Sequence, residues 1–442
     1  MRFSGNNIAH QIQQHIRHNQ MLRHGALLFA GYMIAHVLNT LYQMIVSRRL
    51  DPVEYSILAA FVSALLILQY PLMTLATALS RYSSLLILDQ RLGDIHRLLT
   101  RWLLRTGLVG ILLAAIGIWF REPISEILHI NRTGPILAAA LCLPACLMLP
   151  VVLGVSQGMQ RFGWNAATTM AGSCVRLALG AALVIFVLPT SGWGLLGHGA
   201  GIGFNVLTLA FGLYWILRAT TPSTTPLPLL RTFLLQSGLV QLSYATLMTA
   251  DVILIKHFLP DELEFAYAAT LGRLAVFLSS TIVIAMFPKV TATGRISRAQ
   301  LTIFKQSLLY TAICAAMTLV GCALFPRVLL RILFGMPDPS AAMQAMMIAM
   351  TGVMSLSALL NTCLHFLVAQ KRFLPTIWVC LAAIAYLTAS ALQHASAWNI
   401  LTWAAIANGL PLLVLLPICW RTAAEDIRQA KPDAGQKDPM HA

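Results

Sequence analysis

The sequence predicts an all-α integral membrane protein, with about twelve transmembrane helices in two six-helix halves related by pseudo-two-fold symmetry along the membrane normal. Three observations carry this. The 442 residues are 58% hydrophobic and only 10% charged, far below the roughly 25% charge of soluble domains. Apolar runs of about twenty residues, the length an α-helix needs to cross the hydrocarbon core, recur from Gly25 almost to the C-terminus. The chain also resembles itself at a spacing of about 210 residues, as duplicated membrane proteins do. A barrel is excluded, because its strands would be about ten residues of alternating polarity and no such alternation occurs.

Apolar runs between charged or Pro/Gly-rich breaks begin near Gly25, Ser56, Trp102, Pro135, Ala167, His198, Phe233, Ala266, Phe304, Ala341, Pro375 and Trp398. Residues 1–24 have no apolar core near their start and read as a cytoplasmic, polar surface helix rather than a signal peptide. The first half spans 25–217 and the second 232–420, with a cytoplasmic tail at 421–442. Between the halves lies RATTPSTTPLPLLR, residues 218–231, whose prolines and threonines break helices and mark a linker.

Orientation follows from the basic residues. Most of the 30 lysines and arginines, among them Arg91, Arg97, Arg101, Arg161, Lys289, Arg295, Arg298, Lys371 and Arg372, fall on the side of the N-terminus. By the positive-inside rule both termini are cytoplasmic. The net charge of +15 is thereby spent on topology, and no basic stretch stands apart to bind nucleic acid. The eight cysteines are scattered singly and suggest neither disulfides nor a zinc site.

Three matches carry the repeat. RRLDPVEYSILAA at 48–60 mirrors HFLPDELEFAYAAT at 257–270, GMQRF at 158–162 matches VAQKRF at 368–373, and FREPISEIL at 120–128 matches FPRVLLRIL at 325–333 more loosely. Each half has an even number of helices, so the two share one orientation. A substrate cavity is expected between them, with access alternating as one half rocks against the other.

Charges inside the membrane are costly and are functional candidates by default. Arg176, Asp251 and Arg273 are such charges. Polar residues also recur at helical spacing: Tyr32, His36, Asn39 and Gln43 on one face of the first helix, and Ser237, Gln241, Tyr244 and Asp251 on one face of the seventh. Two polar stripes in equivalent helices suit a hydrophilic cavity between halves, or interhelical bonding that holds the bundle. His36 reads as a core histidine or a proton relay. Asp251 and Arg273 lie at similar depth on adjacent antiparallel helices and are expected to pair. Arg81 is expected to end the second helix.

The stretches RRLDPVEY at 48–55, DVILIKHFLPDE at 251–262 and LGRLAVFLSSTIVIAMFPKV at 271–290 resemble the polysaccharide-transporter branch, the Wzx-type flippases, of the multidrug/oligosaccharidyl-lipid/polysaccharide exporter superfamily. The last stretch is also similar to the lipid II flippases of that superfamily. The resemblance implies a bacterial inner-membrane flippase carrying a polyprenyl-diphosphate-linked oligosaccharide from the cytoplasmic to the outer leaflet. It implies contact with membrane lipids and, as partners, glycan polymerase and glycosyltransferases. Substrate binding then falls to Arg176, Arg273, Asp251, Asn39, Gln43, Tyr32, His36, Gln241 and Tyr244, the two arginines as phosphate contacts because a guanidinium is always charged and forks onto phosphate. No phosphate-loop or HExxH motif occurs, and no catalytic residue, cofactor or metal is expected. Two readings stay open beside it: a cation-coupled multidrug antiporter of the same superfamily, and a membrane glycosyltransferase or polymerase.

Overall fold

The computed structural model describes residues 30–218, 220, 231–292 and 298–429. The expected N-terminal surface helix, nearly all of the 218–231 linker and the end of the C-terminal tail lie outside them. The described chain runs through α1 (residues 30–49), α2 (Pro52–Leu88), α3 (Leu92–Trp119), α4 (Arg121–Ile127), α5 (Gly134–Gly158), α6 (Phe162–Ala182) and α7 (Ser191–Leu217) in the first half. The second half holds α8 (Arg231–Phe258), α9 (Phe265–Gly272), α10 (Leu274–Ala292), α11 (Arg298–Leu324), α12 (Pro326–Phe334), α13 (Ala341–Ala369), α14 (Ile377–Leu392) and α15 (Ala397–Gln429).

Among the described residues, eleven helices are long and apolar enough to cross a membrane. Of the expected first span, which begins near Gly25, the described part forms α1; it is not one of the eleven. Helix is the only local answer in lipid, where each backbone group must be satisfied internally. Asp51 starts α2 as its N-cap, accepting the Glu54 amide at 2.8 Å, with Pro52 in the first turn. One expectation needs correction. Arg81 does not end the second helix: α2 continues to Leu88 and leaves Arg81 exposed on its side. The eighth span is one membrane segment, as expected; α9 and α10 meet within it at Arg273, whose own backbone stays helical.

Duplication is visible in the packing. In the first half α5 packs against α2, α3 and α7, and α6 against α7; in the second, α13 packs against α9, α10, α11 and α15, and α14 against α15. The short sequence matches mark equivalent structures. Gln160 (φ 56°) and Lys371 (φ 59°) both take left-handed backbone and both precede Arg-Phe. The amides of Arg161 and Arg372 then close back onto Ser156 O and Leu367 O, each at 2.9 Å, in the hydrogen-bond pattern that ends many helices. The looser match becomes α4 and α12, two short helices in corresponding loops.

The loops after α1, α8 and α12 define one end of the bundle, the Asp51 end; those after α2, α5 and α13 define the other, the Lys371 end. At the Asp51 end the halves are locked together. Tyr55 of α2 stacks on Tyr267 of α9 with centroids 4.4 Å apart and its hydroxyl lies 2.9 Å from Thr270 Oγ1. Phe334 packs against the same Tyr267 at 5.0 Å, Arg48 donates to Ile332 O, and His257 Nδ1 lies 2.7 Å from Ile127 O. One continuous buried apolar cluster therefore joins Tyr55, Leu58 and Phe61 of the first half to Tyr267, Leu330 and Phe334 of the second.

Candidate functional site

Each half holds one arginine inside its helix bundle, and the two are handled differently. In the second half Arg273, where α9 meets α10, has its side chain against α8. Its guanidinium donates to Asp251 Oδ1 at 2.5 Å, to Met248 O at 3.2 Å and to Thr249 O at 3.4 Å. Arg273 and Asp251 are both buried. A lone charge at such a place is expensive, and the pair together with the carbonyls offsets much of that cost. The second carboxylate oxygen, Asp251 Oδ2, has no hydrogen-bond partner. Tyr386, on α14, lies within electrostatic reach of both Asp251 and Arg273.

In the first half Arg176 of α6 is half-buried and bonds a neutral group: its Nη1 donates to Asn39 Oδ1 at 3.0 Å. Arg176 Nε has no partner, and neither does His198 Nδ1 on α7. The two helices approach closely enough to hold these groups together only because glycines line the seam. A Cβ on Gly201 would lie 2.6 Å from Arg176 Cβ, and one on Gly197 would lie 2.2 Å from Gly180 Cα. Further along the same seam Asn205 Nδ2 reaches Thr169 Oγ1 at 3.5 Å. The guanidinium thus bonds one amide and has the His198 imidazole, the Tyr42 hydroxyl and the Cys142 and Cys146 thiols within electrostatic reach.

The two polar stripes form as helical faces, and the structure divides their partners. On α1, Tyr32 donates to Asn165 Oδ1 at 3.4 Å and Asn39 accepts from Arg176, so both turn to α6 of their own half. His36 instead stacks on Phe277 of α10, across the halves, with centroids 6.2 Å apart. Gln43 is half-buried one turn beyond Asn39. On α8, Gln241 lies 3.4 Å from His365 Nε2 of α13, and Tyr244 accepts from Ser357 Oγ at 3.5 Å while its ring sits 6.1 Å from that of Tyr70 on α2. Gln241, Tyr244 and Asp251 are buried, so in this conformation that stripe faces packed protein rather than an open cavity.

Sequence reasoning missed His198, Asn165 and Tyr386. His198 sits near the start of its span and reads as a boundary residue, and Tyr386 is isolated in an apolar run; only the neighbouring helix gives either a role. Among the described residues no group of three or more His, Cys, Asp or Glu side chains is placed to hold a metal.

The chain matches no family model, and no curated protein matches it. Solved structures do resemble it. An inward-facing multidrug resistance MATE family transporter of the MOP superfamily superposes with a TM-score of 0.65 at 12% identity, over 92% of this chain and 99% of that one. The lipid II flippase MurJ in an inward closed conformation gives 0.62 at 10% identity, over 91% and 90%. A MOP superfamily transporter from Pyrococcus furiosus, described as having a binding pocket of reverse polarity that suggests a different function, gives 0.64 at 14% identity, over 91% and 96%. At such identities the likeness shows the fold, which this chain shares over nearly its whole length.

Proposed function

We propose that this chain is a bacterial inner-membrane transporter that moves a polyprenyl-diphosphate-linked oligosaccharide from the cytoplasmic to the outer leaflet by alternating access. The observation that carries the reading is Arg176. Its guanidinium is held inside the first half by a neutral amide, 3.0 Å away, and keeps a donor, Nε, without a partner. An uncompensated cation within a membrane bundle favours an anion, and guanidinium binds phosphate oxygens in forked pairs. The Asn39 amide and the nearby Tyr42 hydroxyl suit sugar hydroxyls, which lipid cannot solvate.

In this reading Arg273 is a second phosphate contact that Asp251 holds in reserve. When substrate draws the guanidinium away, Asp251 is left as a buried carboxylate and takes up a proton, which couples transport to a proton gradient. The Asp51 end is the outer face, both termini are cytoplasmic, and glycosyltransferases and a glycan polymerase act before and after the flip. Deletion of the gene in a strain without a redundant flippase tests this. Lipid-linked oligosaccharide should accumulate on the inner leaflet and surface glycan should be lost; normal surface glycan would end the assignment.

A second reading, a cation-coupled multidrug antiporter, draws on the MATE transporters among the similar structures. It requires efflux of small cationic dyes under a sodium or proton gradient. The positive Arg176 site argues against it, because a cationic substrate would be repelled there.

A further inference from the structure

The two loop helices that the repeat relates, α4 and α12, differ in charge. α4 carries Arg121, Glu122 and Glu126, whereas α12 carries only Arg327 and Arg331. These arginines are four positions apart, one turn of helix, and both are exposed on the same face beside exposed Val328 and Ile332. Leu330 and Phe334 are buried on the side next to the arginines, turned away from Val328 and Ile332, so the arginines flank the buried side of the helix. α12 follows directly on the membrane span that ends at Leu324, which sets it at the depth of lipid headgroups. A helix with basic and apolar residues exposed together at that depth has the make-up of an interfacial, anionic-lipid-binding segment. The orientation rule gives no reason for basic residues here, since the excess of lysine and arginine belongs to the other end.

The inner side of α12 is part of the lock between the halves. Phe334 packs on Tyr267 and, at 6.1 Å, on Tyr55. The last turn is fixed from the first half: Arg48 donates to Ile332 O, and its side chain lies 3.3 Å from where a Cβ on Gly335 would stand. Gly335, at φ 73°, is the left-handed residue that ends the helix.

We infer that α12 is a docking helix for anionic phospholipid. Arg327 and Arg331 take the phosphate headgroups of the leaflet at the Asp51 end, and the lipid-bound helix holds Phe334 against Tyr55 and Tyr267, keeping that end shut. The occupant is bulk anionic lipid, chosen by charge complementarity and by the apolar residues beside the arginines, and the inference is independent of the transported substrate.

The test uses the full chain in nanodiscs of phosphatidylcholine with or without phosphatidylglycerol, reading retained lipid by native mass spectrometry and backbone exchange over residues 48–60 and 326–336. The wild type should retain phosphatidylglycerol preferentially and exchange more slowly in its presence. Because each basic residue near an anionic surface contributes a several-fold gain, R327Q/R331Q should lose about tenfold or more of that preference and exchange at the phosphatidylcholine rate. R327K/R331K should keep most of it. Retention of the preference by the glutamine variant would overturn the inference. So would slowing of exchange by inorganic phosphate alone, which would mean a free-anion site, or burial of the α12 face in a dimer.

Discussion

Arg273 and Asp251, 22 positions apart, meet at 2.5 Å between the eighth and seventh spans, with the guanidinium also facing two carbonyls of α8. Neither charge has bulk solvent to fall back on, so each depends on the other. Asp251→Asn or Arg273→Gln alone should lower stability by about 3–5 kcal/mol, the usual cost of orphaning one member of a buried pair. The double neutral variant should recover much of it, since two neutral groups leave no unpaired charge. Thermal unfolding of the wild type and the three variants in detergent measures this coupling. Additive losses in the double variant would mean that the pair is not a unit. In transport, both single variants should be impaired while still inserting; wild-type rates in both would remove the proposed exchange of Asp251 for substrate phosphate.

Asn39 offers a cleaner test of the anion site. Its Oδ1 already accepts from Arg176 at 3.0 Å, so Asn39→Asp supplies a carboxylate at nearly the same place without changing side-chain volume. The new ion pair should leave the melting temperature unchanged or raised. It should also cancel the positive charge that an anionic substrate needs, lowering transport at least about tenfold, a loss equivalent to about 1.4 kcal/mol of binding. Binding and transport assays on Asn39→Asp and Arg176→Gln should agree in direction. An Asn39→Asp protein that is stable and transports normally would show that Arg176 does not meet the substrate.

Much of the fold was legible because lipid leaves the backbone so few options: length and polarity alone locate a span. The repeat was legible in GMQRF and VAQKRF because left-handed helix ends followed by Arg-Phe leave a local trace, realised at Gln160 and Lys371. The pairing of Asp251 with Arg273 could be foreseen from depth along antiparallel helices. Partner choice across helices could not. Tyr32 and His36 share one face by spacing, yet one bonds α6 and the other stacks on α10, because a face of a helix is wide enough to touch two neighbours. Arg81 was misjudged for a similar reason: a charge near an apolar run looks like a boundary, and nothing local shows that α2 continues past it to Leu88.

Orientation has a direct check. Reporter fusions at Lys371 and at both termini should report cytoplasmic exposure, and fusions near Asp51 and Asp338 the opposite side. The prediction rests on the excess of basic residues in the short loops of the Lys371 end. An external Lys371 would reverse the proposed direction of transport and place α12 in the cytoplasmic leaflet.

The lock at the Asp51 end sets the last prediction. Tyr55 contributes two separable interactions across the halves: the ring stack on Tyr267 at 4.4 Å and the hydroxyl contact with Thr270 at 2.9 Å. Aromatic pairs add about 0.5–1.5 kcal/mol beyond their buried area, and a hydrogen bond adds about 0.5–1.5 kcal/mol net. Both act only while the halves touch, so removing them shifts the balance toward a state open at that end. Tyr55→Phe should raise the open-to-closed ratio by a few-fold, because only the hydroxyl is lost. Tyr55→Ala should raise it further, by about tenfold or more, because the stack and the contact with Phe334 go as well. Spin labels at the exposed positions Val53 and Asp261 would report the change as a growing long-distance population in the order wild type, Tyr55→Phe, Tyr55→Ala. If that population is the same in all three proteins, the seam between Tyr55 and Tyr267 does not control opening, and the closure seen here is held by other contacts.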